Sequence, residues 1–294
     1  MGEEESEMKK NTKKLSHFIF PFKNFSLKVL NPNFNLVIDE TENIYLKTFE
    51  YDRDIERIDS DQFSEQDRID LAMKYRWGLR FDCFDDEKFK YLEKCNLLLL
   101  TFRIFNQSDC SGIYLLNVTN PHLSVKEDNN WKWAIANKQN KTELNIEELQ
   151  IIKIRYDQLK SFYITSPRTK HSIQFLYLGY ISNYWMQAFI LYMTALETLV
   201  SPDIRSEKIT SIIIDRIMKL ILQDSVCSKN QLSKIYELRS DIVHGKIATD
   251  IELKKEMPKL VNLQKVVLSG FYNILKEDFK SIYSNEHKFE NFFN

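Results

Sequence analysis

The stretch Ile235–Lys246, "IYELRSDIVHGK", decides how the C-terminal half of the chain is read. With Leu232 just upstream, its apolar residues fall at Leu232, Ile235, Ile242 and Val243, one stripe of an amphipathic helix. Arg239 stands seven residues after Leu232 and so occupies that stripe. His244 follows, about 140° further round a helix that steps 100° per residue. It directly precedes Gly245, a residue type that closes helices in a left-handed cap. A guanidinium keeps its proton inside proteins, so one on a buried stripe must be paired or must line a cavity. The negative end of the helix dipole is expected to favour a cationic ring at His244. Two readings follow. Either Arg239 pairs with a carboxylate such as Glu197 and His244 only caps a helix, or the cation and the ring line a phosphate-handling cleft. A pairing of Glu197 with Arg216 fits the spacing equally well.

Outward from this stretch the pattern stays helical over residues 145–294. "NIEELQIIKIRYDQLKSFYI" opens with Asn145 as cap, and the next run has Pro167 in its first turn. "YWMQAFILYMTALETLV" stops before Ser201-Pro202, and "SEKITSIIIDRIMKLIL" has Ser206 as cap. Pro258 begins or kinks the last long helix. Consecutive helices with short connections predict an antiparallel α-helical bundle. The span His171–Leu196 lacks Asp, Glu, Lys and Arg and is long enough to cross a bilayer. Ser182, Asn183 and Gln187 lie in its middle, however, and tyrosines are scattered through it. It is read as two buried helices meeting near Ser182-Asn183.

Residues 1–15 form a loose charged tail. Its start, "MGEEES", fits a myristoylation pattern, but three consecutive acids oppose an anionic membrane. Residues 16–144 read as a mixed, mainly β domain. "FSLKVL", "FNLVID", "IYLKTF", "NLLLLTFRIF" and "GIYLLNV" are predicted strands, and "SEQDRIDLAMKYRWGL" a helix capped by Ser64. Trp131 and Trp133 flank Lys132 in a period of two, and nothing in this part has catalytic spacing. The fold class is therefore α+β.

Of 294 residues, 43% are hydrophobic, enough for a sizeable core, and the net charge of −1 excludes a global basic field for nucleic acid. Residues 165–294 carry a balance of +3 and the remainder −4. Cys83, Cys95, Cys110 and Cys227 show neither CxxC spacing nor a zinc-like cluster with histidine. No secretory signal is read, so a reducing cytoplasm is expected.

The segment R-S-D-I-V-H, Arg239 to His244, matches the R-x4-6-H motif of HEPN domains. With "FILYMTALETLV" upstream, then "EKITSIIIDRIMKLI", then "IYELRSDIVHGK", roughly residues 165–280 resemble the ApeA-like HEPN family, in which an A-L-E-x-L helix precedes the motif helix. The β-rich region ahead of the bundle matches that family's general layout. The resemblance implies a HEPN-like bundle that dimerises and cuts RNA, with no metal and no cofactor. It implies a cytoplasmic effector of the toxin or abortive-infection kind in anti-phage defence. RNA, with transfer RNA as one candidate, a second copy, and a phage-derived or cellular trigger are the implied partners, and a membrane is not among them. The catalytic pair is Arg239 and His244. RNA supplies its own 2′-OH nucleophile, histidine serves as base or acid, and arginine offers a forked cation to the phosphate. Ser240 or Asp241 would orient Arg239 or the ribose, and Glu197 would hold Arg239. Arg205, Lys208 and Lys246, near bundle ends in sequence, are candidate RNA-phosphate contacts. One departure stands out. HEPN toxins regulated by adenylylation carry tyrosine two residues after the histidine, and this chain has Lys246 there. The competing readings are a non-catalytic HEPN module for dimerisation or RNA binding, and a membrane-associated protein using residues 171–196.

Overall fold

The computed structural model describes residues 15–23, 25–28, 34–48, 63–66, 68, 75–106, 110, 112, 114–119, 122–126, 142–182, 184–202, 209–221, 226–247, 249, 252, 254–276 and 279–294. The N-terminal part contributes strands β1 (Leu15–Lys23), β2 (Phe25–Leu27), β3 (Asn35–Asp39), β4 (Ile44–Thr48) and β5 (Tyr75–Phe84). Helix α1 (Lys88–Asn106) follows, then β6 (Tyr114–Asn117), β7 (His122–Lys126) and β8 (Thr142–Leu144). Six strands form an antiparallel sheet in the order β3-β4-β5-β1-β6-β7, while β2 runs parallel to β8.

Alternation sorts the strands' side chains onto two faces. Phe18, Phe20 and Phe22 of β1, Leu79 and Phe81 of β5, and Ile44 and Leu46 of β4 are buried on one face. Each such side chain contributes about 2–3 kcal/mol by leaving water. Helix α1 covers that face: its Tyr91 stacks on Phe81 at 4.9 Å between centroids, and its Phe102 meets Phe22 edge-on at 6.1 Å.

Two expectations are corrected here. "NLLLLTFRIF", read as a strand, lies within α1. Leu97, Leu98, Leu99 and Leu100 are all buried, because the helix is clasped between the sheet and the C-terminal helices. A helix buried all round shows neither a 3.6 nor a 2 period, and leucine favours helix over strand. Of the run expected to be helical through Leu79, the described start is helical, where the Arg68 amide donates to Ser64 O, and from Tyr75 the chain is strand β5. Pairing with β4 on one side and β1 on the other overrides local preference. Trp131, Lys132 and Trp133 lie outside the described residues.

The C-terminal part is helical: α2 (Ile146–Tyr163), α3 (Pro167–Ile181), α4 (Trp185–Val200), α5 (Ile209–Leu220), α6 (Lys229–Val243), α7 (Met257–Lys276), α8 (Phe279–Tyr283) and α9 (Glu286–Phe293). Asn145, Ser166 and Ser228 each close a reciprocal capping box, on Glu148, Thr169 and Gln231 respectively. Pro167 opens α3, and Pro258 lies in the first turn of α7, so it begins that helix. Ser206 is outside the described residues. Helices α3 and α4 meet at Ser182, as the uncharged span predicts. Their buried hydroxyls are satisfied internally: Ser172 Oγ donates to Ala195 O at 2.7 Å, and Ser182 Oγ to Gln187 Oε1 at 3.0 Å. Among the described residues no helix is long and apolar enough to cross a membrane.

One hydrophobic cluster runs from Phe18 to Phe293, so the sheet and the helices share a core. The turn after β3 also grips α2: Lys160 Nζ lies 2.6 Å from the buried Asp39 Oδ2 and Lys153 Nζ 3.4 Å from Glu40 Oε1.

Candidate functional site

Helix α6 carries the site. Leu232, Ile235, Leu238 and Ile242 are buried along it. Val243, expected on the same stripe, is 56% exposed, and Tyr236 is buried instead. The stripe thus turns with the true 3.6 period and leaves the helix's last residue outside. Gly245 takes φ 73°, its amide donates to Ile242 O at 3.1 Å, and the Lys246 amide to Asp241 O at 2.8 Å. These two bonds are a Schellman cap, as the glycine predicts. The cap fixes His244, whose own amide donates to Ser240 O at 2.9 Å and whose ring is exposed.

Arg239 is half-buried. Its Nη2 donates to Glu197 Oε2 at 3.2 Å, and its Nε lies 3.1 Å from Glu197 Oε1 as an ion-pair contact outside hydrogen-bond geometry. Glu197 sits in the last turn of α4. Burial, the largest influence, pushes its carboxyl up, while the Arg239 charge and the neighbouring Tyr236 phenol pull it down. Burial prevails, and the carboxyl titrates above the usual 4.5. Burial likewise raises the Tyr236 hydroxyl, and the Glu197 charge beside it adds to this.

The alternative pairing of Glu197 with Arg216 is overturned. Arg216 forms its own fork with Glu290 of α9 and stacks against Phe289 and Phe293, at 5.7 and 5.4 Å from the ring centroids. It also donates to Val200 O at 3.1 Å. Arg168 donates to Ser201 O at 2.6 Å and Thr198 O at 3.4 Å. The carbonyls that end α4 are thereby satisfied by arginines, and the turn bearing Glu197 is held from three sides.

A cleft of about 670 Å³ opens between α4, α5 and α6. Arg239, Glu197 and Ser240 line it, together with Thr210, Ser211, Ser233 and Tyr236. Lys229 at its edge is paired with Asp215. Asp241, His244 and Lys246 lie at the end of α6 and do not line this cleft. Asp241 Oδ1 accepts from Lys246 Nζ at 2.8 Å, so that lysine is tied across the cap. Arg205 and Lys208 are outside the described residues. The structure therefore brings Arg239, Glu197 and Ser240 to one cavity and sets His244 on the adjoining surface.

Sequence reasoning missed Tyr236 and the hydroxyl lining. Tyr236 stands three residues before Arg239, on the same face of the helix, and that spacing was the available signal. The hydroxyls of α5 carry no such signal, because only packing places them opposite α6. Among the described residues no group of three His, Cys, Asp or Glu side chains is arranged to hold a metal ion. The four cysteines are free and buried. No family model matches the chain, and no curated protein and no solved structure matches it.

Proposed function

We propose that the chain is a HEPN-type endoribonuclease working as a homodimer without a metal or cofactor, a cytoplasmic toxin or abortive-infection effector. The observation that carries this reading is the combination on α6 of an arginine paired with Glu197 at a cleft wall and, five residues on, an exposed histidine fixed by a cap. The hydroxyl-rich cleft suits a ribose-phosphate chain. Within one chain His244 does not share Arg239's cavity. The reading therefore assigns the reaction to a joint cleft made by two α6 ends facing each other.

In that cleft the RNA 2′-oxygen attacks phosphorus and the P–O5′ bond breaks. His244 takes the 2′ proton, the partner subunit's His244 gives a proton to O5′, and Arg239 balances the charge on the equatorial phosphate oxygens. The products are a 2′,3′-cyclic phosphate and a 5′-hydroxyl. Glu197 orients the guanidinium, and Ser240 is placed to meet the ribose. The N-terminal sheet, joined to the bundle through α1 and the Asp39–Lys160 contact, is the part that would sense the trigger.

The test is cleavage of total and transfer RNA by purified protein in excess EDTA, with wild type beside Arg239→Ala and His244→Ala. The expected result is 2′,3′-cyclic phosphate ends, lost in both variants while fold and dimer persist. The closed Arg239–Glu197 pair favours a second reading, a non-catalytic dimerisation or RNA-binding module. Binding of RNA without cleavage by wild type, weakened in Arg239→Ala and unchanged in His244→Ala, would decide for it.

A further inference from the structure

The sheet has a second face. Because Phe81 and Leu79 point at α1, alternation turns Arg76, Arg80 and Asp82 of β5 the other way. Register sets Tyr45 directly beside Arg80 and Lys47 beside Gly78. Lys47 therefore lies between the positions of Arg76 and Arg80, opposite Gly78, where the β1 backbone at Phe20 and Pro21 packs close. On the far flank His17 Nδ1 and Asp82 Oδ1 are 2.5 Å apart, so Asp82 already has a partner. Tyr45, Lys47, Arg80, His17 and Asp82 share a cleft of about 390 Å³.

Arg76 and Lys47, on neighbouring strands, repel each other and weaken the sheet. Among the described residues no carboxylate pairs with Arg76 or Lys47. The Lys47 ammonium instead lies over the Tyr45 ring, 5.4 Å from its centroid. Arg80 Nη2 donates to Thr48 O at 3.2 Å, which draws its guanidinium towards Lys47. A half-buried ring beside a row of cations is the combination that holds single-stranded nucleic acid: the cations track phosphates and the ring stacks a base. From Arg76 to Arg80 the strand rises about 14 Å, four residues at about 3.4 Å each, which suits a short run of nucleotides.

We propose that this face of the N-terminal sheet docks a single-stranded RNA segment, with phosphates on Arg76, Lys47 and Arg80 and a base on Tyr45. Charge complementarity and the ring select a single-stranded nucleic acid, and RNA is chosen over DNA because it is the partner of the proposed function. The site stands apart from the cleft at Arg239 and does not depend on the chain being a nuclease.

The test is anisotropy of a labelled, fully 2′-O-methylated single-stranded oligonucleotide, which cannot be cleaved through its 2′ positions. It is titrated with the full chain across a range of salt. Arg76→Ala with Lys47→Ala should weaken binding at least tenfold at low salt. It should also lower the slope of log K against log salt by about 1.4, two contacts at about 0.7 each. Tyr45→Ala should lose about 5- to 100-fold, and Tyr45→Phe should keep nearly all affinity. Lys259→Ala, a lysine paired with Glu256 on α7, controls for charge removed elsewhere. Unfolding curves of the double variant should match wild type. Unchanged affinity and slope in the double variant would overturn the proposal. So would displacement of the oligonucleotide by uridine monophosphate or an acidic peptide at comparable concentration. Failure of wild type to cut RNA would count against an untriggered nuclease and leave this binding result intact.

Discussion

Replacing Glu197 with glutamine separates a structural role for the Arg239 pair from a functional one. The carboxyl titrates above 4.5 because burial outweighs the attraction of Arg239 and the Tyr236 contact. A carboxyl whose folded pKa is raised stabilises the fold most below its unfolded pKa, and that contribution is lost as pH rises through the folded value. At pH 7 the ionised Glu197 therefore stands on the unfavourable side of its own titration. Glutamine keeps the shape and one acceptor for Arg239 Nη2, now 3.2 Å from Glu197 Oε2, and removes the buried charge. The variant should be as stable as wild type at pH 7 or more stable, within about 1 kcal/mol, which is a shift of about 2–4 °C in a chain of this size. Wild type should gain on the variant as pH falls towards 4.5, because protonation then relieves the burial cost. Cleavage should behave differently. A guanidinium that keeps its hydrogen bond but loses the opposite charge beside its Nε is less well aimed, and loose aim at a reacting group costs on the order of 10²-fold. Thermal unfolding from pH 4 to 8 beside the RNA assay reads both quantities. A melting point at pH 7 more than about 5 °C below wild type, with cleavage untouched, would refute the reasoning and leave the pair a packing device.

Other consequences follow from particular contacts. Asp39→Asn should cost about 2 kcal/mol at neutral pH. Burial pushes that carboxyl up, but the Lys160 and Thr41 hydrogen bonds and the charges of Lys160 and Lys94 outweigh it and hold it below 3.8. The wild-type advantage should thus persist above pH 3.8 and vanish as pH falls below it, which urea midpoints at pH 3 and 7 will check. Arg216→Met should lose about 3 kcal/mol, since it strands the Glu290 carboxylate and Val200 O, and should speed proteolysis near the C-terminus. Gly245→Ala should lose about 1 kcal/mol in a denaturant titration. The φ of 73° is strained for any L side chain, although nothing lies within 4 Å of the added carbon.

Much of the helical half was legible because its ends carry chemistry. Asn145, Ser166-Pro167, Ser201-Pro202 and Gly245 mark boundaries with groups that satisfy or forbid backbone hydrogen bonds, and each boundary falls where it was read. Arg239 was legible as a cation on an apolar stripe, since such a position demands a partner, and Glu197 is that partner. Helix α1 was not legible, because its partners surround it and erase its periodicity. Strand β5 was readable in principle. "RWGLRFDCF" alternates buried Trp77, Leu79, Phe81 and Cys83 with Arg76, Arg80 and Asp82, and the helical pattern just upstream obscured it. Arg216 chose Glu290 over Glu197 for a reason no local pattern contains: α9 folds back to bring its carboxylate and two phenylalanines to the same guanidinium.

The last turn of α4 shows why Glu197 can serve as a fixed reference for Arg239. A helix C-terminus exposes carbonyls that need donors, and here Arg216 and Arg168 supply them at Val200, Thr198 and Ser201. Both arginines are anchored in turn by α9, through Glu290 and Glu286, with Phe289 4.2 Å from the Arg168 guanidinium. Arg239 arrives on a separate helix whose far end is locked by the Gly245 cap. Two rigid ends thus meet at one ion pair, and a helix displaced by the loss of either anchor would carry its half of the pair with it. If Arg239 acts on phosphate, its aim is set by α9 and by Gly245 as much as by Glu197. Arg216→Met should then lower cleavage under conditions where the chain is still fully folded, whereas a cleavage loss that tracks the unfolded fraction alone would show that the arginines stabilise the helix end without steering the site.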